Sequence, residues 1–85
     1  MNYEKLLEGK KALITAGADG IGYAIAQRFE KAGAKVFVCD INDEAVNKAN
    51  LADDNIKASV CDLRQTQLIA SMIEEGFDYL GELDI

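Results

Sequence analysis

Histidine and proline are absent from this 85-residue chain and cysteine occurs only twice. No apolar run approaches the roughly eighteen residues that a membrane-spanning helix needs. Without histidine, and with Cys39 and Cys61 far apart and in no CxxC pair, a zinc site is excluded and no metal-ligating residue is expected. Both cysteines sit inside apolar runs and read as buried structural thiols, not as a disulfide. The opening "MNYEKLLEGK" is charged and lacks the apolar centre of a signal peptide, so a cytoplasmic location without membrane contact is expected. Nine Lys and Arg against fifteen Asp and Glu give a net charge of −6 and no basic stripe, which excludes nucleic acid as a partner. Without proline or low-complexity tracts, and with 49% hydrophobic and 28% charged residues, the composition is globular. Residues 1–85 are one small unit at most, burying roughly 60 to 65% of its unfolded surface.

What is present is a repeated alternation of two periods. "KALIT" (11–15) is a short apolar run closed by glycine and predicts a buried strand. From Gly20 to Ala32, Ile21, Ala24, Ile25, Phe29 and Ala32 recur at three and four, and Gly33 follows as a stop, which predicts a helix with one buried face. "KVFVCD" (35–40) predicts a second strand; "NDEAVNKANLA" (42–52) predicts a second helix capped by Asn42, with Asp43 and Glu44 at its positive end. "IKASVCD" (56–62) predicts a third strand, and Leu68, Ile69, Met72, Ile73, Phe77 and Leu80 predict a helix over 65–80, weakened by about 1 kcal/mol at Gly76. The final "LDI" opens a fourth strand that stops after three residues.

Strands alternating with single helices cannot pair as hairpins. The βαβαβα order therefore predicts an α/β fold with a Rossmann-type parallel sheet, truncated at the start of its fourth strand. "VCD" closes the second strand at 38–40 and the third at 60–62, which places Asp40 and Asp62 side by side at the carboxyl edge, where open α/β sheets bind ligands.

The loop "ITAGADGIG" lies at the same edge, between the first strand and the first helix. Glycine lets a main chain approach a phosphate closely, and a helix start offers unpaired N–H groups with about half a positive charge. Gly17, Gly20 and Gly22, with Asp40 following 18 residues after Gly22, predict that a dinucleotide pyrophosphate binds here. A triphosphatase loop is excluded because Tyr23 and Ala24 stand where its Lys and Ser or Thr belong, and the GxGxxG spacing fails at Ile25. A receiver domain, another class with an Asp closing its third strand, needs an acidic pair after the first strand, where Thr15, Ala16 and Gly17 stand.

The order GxxGxG after a threonine resembles the short-chain dehydrogenase/reductase family, whose first turn reads TGxxxGIG. Thr15, Gly20, Ile21 and Gly22 match, while Ala16 occupies the family's first glycine with Gly17 beside it. The resemblance runs over the whole chain through "LEGKKALIT", "GAKVFVCDIN", "VCDL" and "LGELDI". It implies an oxidoreductase moving a hydride between a nicotinamide cofactor and an alcohol or ketone, usually as a homo-oligomer.

Asp40 is suited to accept hydrogen bonds from the adenosine ribose hydroxyls and to repel a 2′-phosphate; Asp19 adds negative charge, and Ile41 and Asn42 supply no cation, so NAD is the expected cofactor. Asp19 is expected to cap the helix or face solvent. The resemblance implies that Asp62 and the backbone at Leu63 meet the adenine; the alternative for Asp62 is capping of the turn after the strand. The cofactor-binding residues expected are thus Gly17, Asp19, Gly20, Ile21, Gly22, Asp40, Ile41, Asp62 and Leu63. The catalytic Tyr with Lys four residues on, which the family implies, is missing: Leu7, Gln27 and Leu83 follow Tyr3, Tyr23 and Tyr79 at that spacing. Two readings remain: the amino-terminal, cofactor-binding part of an NAD-dependent oxidoreductase with its catalytic residues elsewhere, or a stand-alone, non-catalytic dinucleotide-binding module. In the second, the first strand becomes an uncovered edge bearing Ala12, Leu13 and Ile14.

Overall fold

A computed structural model describes residues 6–52 and 54–85; Tyr3 and most of the charged opening lie outside the described residues. Among the described residues, three strands, β1 (Lys11–Thr15), β2 (Lys35–Asp40) and β3 (Ile56–Val60), alternate with α1 (Gly20–Lys31), α2 (Asp43–Ala52) and α3 (Ile69–Leu80). All strands are parallel in the order β1-β2-β3, with Leu13 opposite Phe37 and Val38 opposite Ala58.

β2 is the centre of the sheet, and its unbroken apolar run follows from burial on both faces. Val36 and Val38 face a core built with Ala26 of α1 and Ala45, Val46 and Ala49 of α2. Phe37 and Cys39 face the opposite side, against Met72 and Leu80 of α3. Gly76 belongs to that packing: a Cβ there would stand 3.0 Å from Leu13 Cδ1 and 3.2 Å from Phe37 Cδ1, so the helix-weakening glycine brings α3 close to the sheet.

The predicted elements are formed, with three differences at their ends. Asn42 caps α2 as expected, its Oδ1 accepting the Ala45 N–H at 3.0 Å. β3 stops at Val60, not at Asp62, although the Cys61 N–H still donates to the Asp40 carbonyl at 2.9 Å. The helix expected over 65–80 is a 3-10 turn, Thr66–Leu68, followed by α3, because no side chain caps either start and the Leu68 N–H closes a tight bond to the Gln65 carbonyl. The final residues form no assigned strand, yet Ile85 makes one parallel rung on the free edge of β1: its N–H donates to Lys11 O (3.1 Å) and its carbonyl accepts from Leu13 N (2.9 Å).

The two sheet edges differ. Asn50 of α2 closes the outer edge of β3 like a short strand, its side chain donating to Ala58 O (2.9 Å) and accepting from Ala58 N (2.7 Å). The chain thus runs outward from β1 to β3 and then returns to the far side of β1. The path of the chain, though not the order of its assigned strands, changes direction at β1, and the carboxyl end of such a strand is where these sheets take ligands.

Candidate functional site

The loop leaving β1 folds back on itself through contacts that only small residues allow. A Cβ on Gly17 would fall 2.7 Å from Val38 Cβ, and one on Gly22 would overlap the Ala16 carbonyl oxygen and stand 3.0 Å from Gly17 Cα. The first turn of α1 therefore rests directly on the loop backbone. Gly20 has open space around it but a φ of +59°, so here the requirement is conformational.

Ala16 stands in the same left-handed region, with φ +53°. An L-residue there costs roughly 1 to 2 kcal/mol, which a glycine avoids. Ala16→Gly is accordingly expected to raise stability by up to about 1 kcal/mol, the gain being trimmed by the freer unfolded chain. A denaturant midpoint that falls on this substitution contradicts the reading of Ala16 as strained.

The loop amides divide into engaged and open groups. Gly17 N donates to Cys39 O (3.0 Å), Ala18 N to Asp40 Oδ2 (3.2 Å) and Gly20 N to Asp19 Oδ1 (2.9 Å). Asp19 thus caps α1, as one of its two expected roles required. The Tyr23 N–H reaches Asp19 O at 3.4 Å, while those of Ile21 and Gly22 find no acceptor among the described residues. Ile21, at 83% exposed, leaves that end of the helix bare. Two open amides on the positive end of a twelve-residue helix, whose first turn lies so close to the loop backbone that Gly22 has no room for a Cβ, fit a pyrophosphate.

Asp40, at the end of β2, is fixed by that loop. Besides the Ala18 bond, its Oδ1 accepts from Asn42 N at 3.1 Å. A carboxylate has about four acceptor positions, so two are left open to other donors.

Asp62 lies past the end of β3 and does what the alternative reading required: its Oδ1 accepts the Arg64 N–H (3.0 Å) and caps the turn. It also holds the Arg64 side chain in a fork, Nε to Oδ1 at 3.0 Å and Nη2 to Oδ2 at 2.9 Å. The hydrogen bonds from the Arg64 side chain, then that from its backbone, hold the Asp62 carboxyl below the ordinary carboxylate range. A lowered folded value means that the pair contributes above the unfolded pKa and is lost as pH falls through the folded one. With the Arg64 side chain largely in solvent, that contribution to stability is small.

Asp40, Ile41, Asp62 and Leu63 come together in one cleft of about 430 Å³, together with Ala16, Arg64 and the two thiols. Gly17, Asp19, Gly20, Ile21 and Gly22 do not line this cleft; they form the turn and helix start at its Ala16 side. Cys39 and Cys61 are buried and free, and burial, followed by the neighbouring Cys61, raises the Cys39 thiol above its usual pKa. Among the described residues no His, Cys, Asp and Glu are grouped to hold a metal. Arg64 escaped the sequence reading; the Asp-x-Arg spacing was the signal available. Tyr79 lies away from the cleft: Lys35, at the opposite end of β2, sits 4.3 Å over its ring and donates to its carbonyl oxygen (2.7 Å).

A parallel sheet with a glycine loop and helix start at the carboxyl end of its first strand and a carboxylate at the end of the second defines a fold of the Rossmann type. The sequence pattern of the family described as short chain dehydrogenase matches residues 10–85, and the chain belongs to that family of oxidoreductases. It is 39% identical over 83 residues to an uncharacterized oxidoreductase of Mycobacterium bovis, covering 94% of this chain and 34% of that protein. It is 34% identical over 87 residues to 3beta-hydroxysteroid dehydrogenase 2 of Eggerthella lenta, covering 98% of this chain and 34% of the relative. In fold it is similar to a 3-ketoacyl-(acyl-carrier-protein) reductase from Brucella melitensis complexed with NADH, with a TM-score of 0.85, 33% identity, and coverage of 92% of this chain and 32% of that one. The chain spans about a third of the length of these proteins.

Proposed function

We propose that residues 1–85 form the amino-terminal, adenosine- and pyrophosphate-binding part of an NAD-dependent oxidoreductase acting on an alcohol or ketone, whose catalytic residues lie outside this chain. One observation carries this reading: the open Ile21 and Gly22 amides and the Asp40 carboxylate are tied into one unit by the Ala18–Asp40 hydrogen bond. Phosphate and ribose of a single cofactor thereby meet fixed partners. The cofactor carries the hydride; this chain binds and orients the half of it that does not react. The NADH complex of the Brucella protein, with the same fold, supports the assignment.

Apolar surface around β1 supports a larger parent over a stand-alone module. Ile73 and Phe77 of α3 are 40% and 45% exposed, and Ile25 of α1 is also open, on the two helices that contact β1. The outer edge of β3 is closed by Asn50, so it is at β1 that the sheet is suited to continue. The free, buried thiols suit a reducing cytoplasmic setting. Calorimetric titration with NAD and NADP tests the reading: NAD is expected to bind more tightly, and tighter binding of NADP overturns the choice of cofactor.

A further inference from the structure

We propose that Arg64 is a specificity-determining residue of the cofactor site, its guanidinium plane forming one wall against which the adenine stacks. This rests on the reading of the cleft as the adenosine site and adds a residue to it. Arg64 is the one cation lining the cleft among the described residues; the rest of the lining is the apolar Ile41, Leu63 and Ala16, the two thiols, and the carboxylates Asp40 and Asp62, which disfavour an anion. Such a lining suits a flat, uncharged base better than a charged group.

The guanidinium is held in a definite orientation. Nε and Nη2 both bond Asp62, and the Arg64 backbone N–H bonds the same carboxylate, so three donors of one residue converge on one partner. The side chain is nonetheless 82% exposed, which leaves the faces of its plane bare. An edge that is occupied and a face that is open favour stacking, because arginine stacks on aromatic rings through its face. A phosphate would need the opposite: the fork that grips Asp62 would have to be released, and the carboxylate beside it would oppose the anion. The observations therefore favour the base over a 2′-phosphate.

The test compares the unaltered chain with Arg64→Ala and Arg64→Lys, titrated calorimetrically with AMP, inorganic pyrophosphate, NAD and NADP. Both substitutions are expected to weaken AMP and NAD by about three- to tenfold. Lysine should not rescue, since it keeps the charge but lacks the plane. Pyrophosphate, which carries no base, should bind all three chains alike, and thermal midpoints should barely move because the Arg64 side chain is largely in solvent. Unchanged AMP affinity, full rescue by lysine, or a loss confined to NADP overturns the stacking role. Failure of the unaltered chain to bind either AMP or NAD overturns the reading of the cleft itself, a result distinct from those three.

Discussion

Gly22→Ala is expected to lower dinucleotide affinity by at least about a hundredfold, and to cost roughly 1 to 3 kcal/mol of stability as an overpacked contact. The added methyl would overlap the Ala16 carbonyl oxygen and stand 2.9 Å from the Ala16 carbonyl carbon, so relief requires backbone movement. That movement separates the first turn of α1 from the loop and misdirects the Ile21 and Gly22 amides. Hydrogen bonds to a charged group contribute about 1.5 to 3 kcal/mol each, and losing one or two of them accounts for the affinity change. Gly20→Ala provides the comparison, since open space surrounds Gly20 and only its φ of +59° opposes the methyl. It is expected to cost about 1 to 2 kcal/mol in stability and less in affinity than Gly22→Ala. Equal loss of binding in the two variants, measured by calorimetry on chains shown to be folded, would argue against a steric role for Gly22.

Asp40→Ala is expected to shift the ratio of NAD to NADP affinity by about tenfold or more towards NADP. Two effects act in the same direction. NAD loses an acceptor for its ribose hydroxyls, and a 2′-phosphate loses a like charge whose repulsion at ~4 Å amounts to about 1 kcal/mol even in water. The substitution also frees Ala18 N and Asn42 N, which donate to the two carboxylate oxygens, so a stability loss of about 1 kcal/mol accompanies it. Asp40→Asn separates the contributions by keeping the shape and removing the charge; it should recover part of the stability and little of the cofactor preference. An unchanged ratio in Asp40→Ala removes Asp40 from the basis of selectivity.

The fold was legible where pattern and local chemistry coincide. The run through Val36, Phe37, Val38 and Cys39 reads as a strand because both faces of β2 are buried, and Asn42 reads as a cap because its side chain serves as one. Element ends were less legible where turn and cap contacts, which periodicity does not report, decide them. β3 gives way after Val60 to a turn in which the Arg64 N–H donates to Asp62 Oδ1 and the Gln65 N–H to Asp62 O, and α3 starts late because no side chain caps its expected start. For the candidate site, the repeated strand endings placed Asp40 and Asp62 at one sheet edge, and both line the same cleft, with the glycine loop beside it. They could not show that Ala16 adopts φ +53°, since periodicity carries no backbone angle. Nor could they show that one carboxylate both caps a turn and orients a guanidinium in the cleft. Asp19 does both things expected of it, capping α1 through the bond from Gly20 N while remaining exposed.

The central claim is that open amides at the start of α1 receive the cofactor's phosphates. Amide NMR of the chain during titration with NAD tests it most directly, because each N–H reports separately. The account predicts saturable shifts that are largest at Ile21 and Gly22 and accompanied by shifts at Ile41 and Leu63. Saturable binding that leaves Ile21 and Gly22 unmoved, or no binding at all, contradicts it.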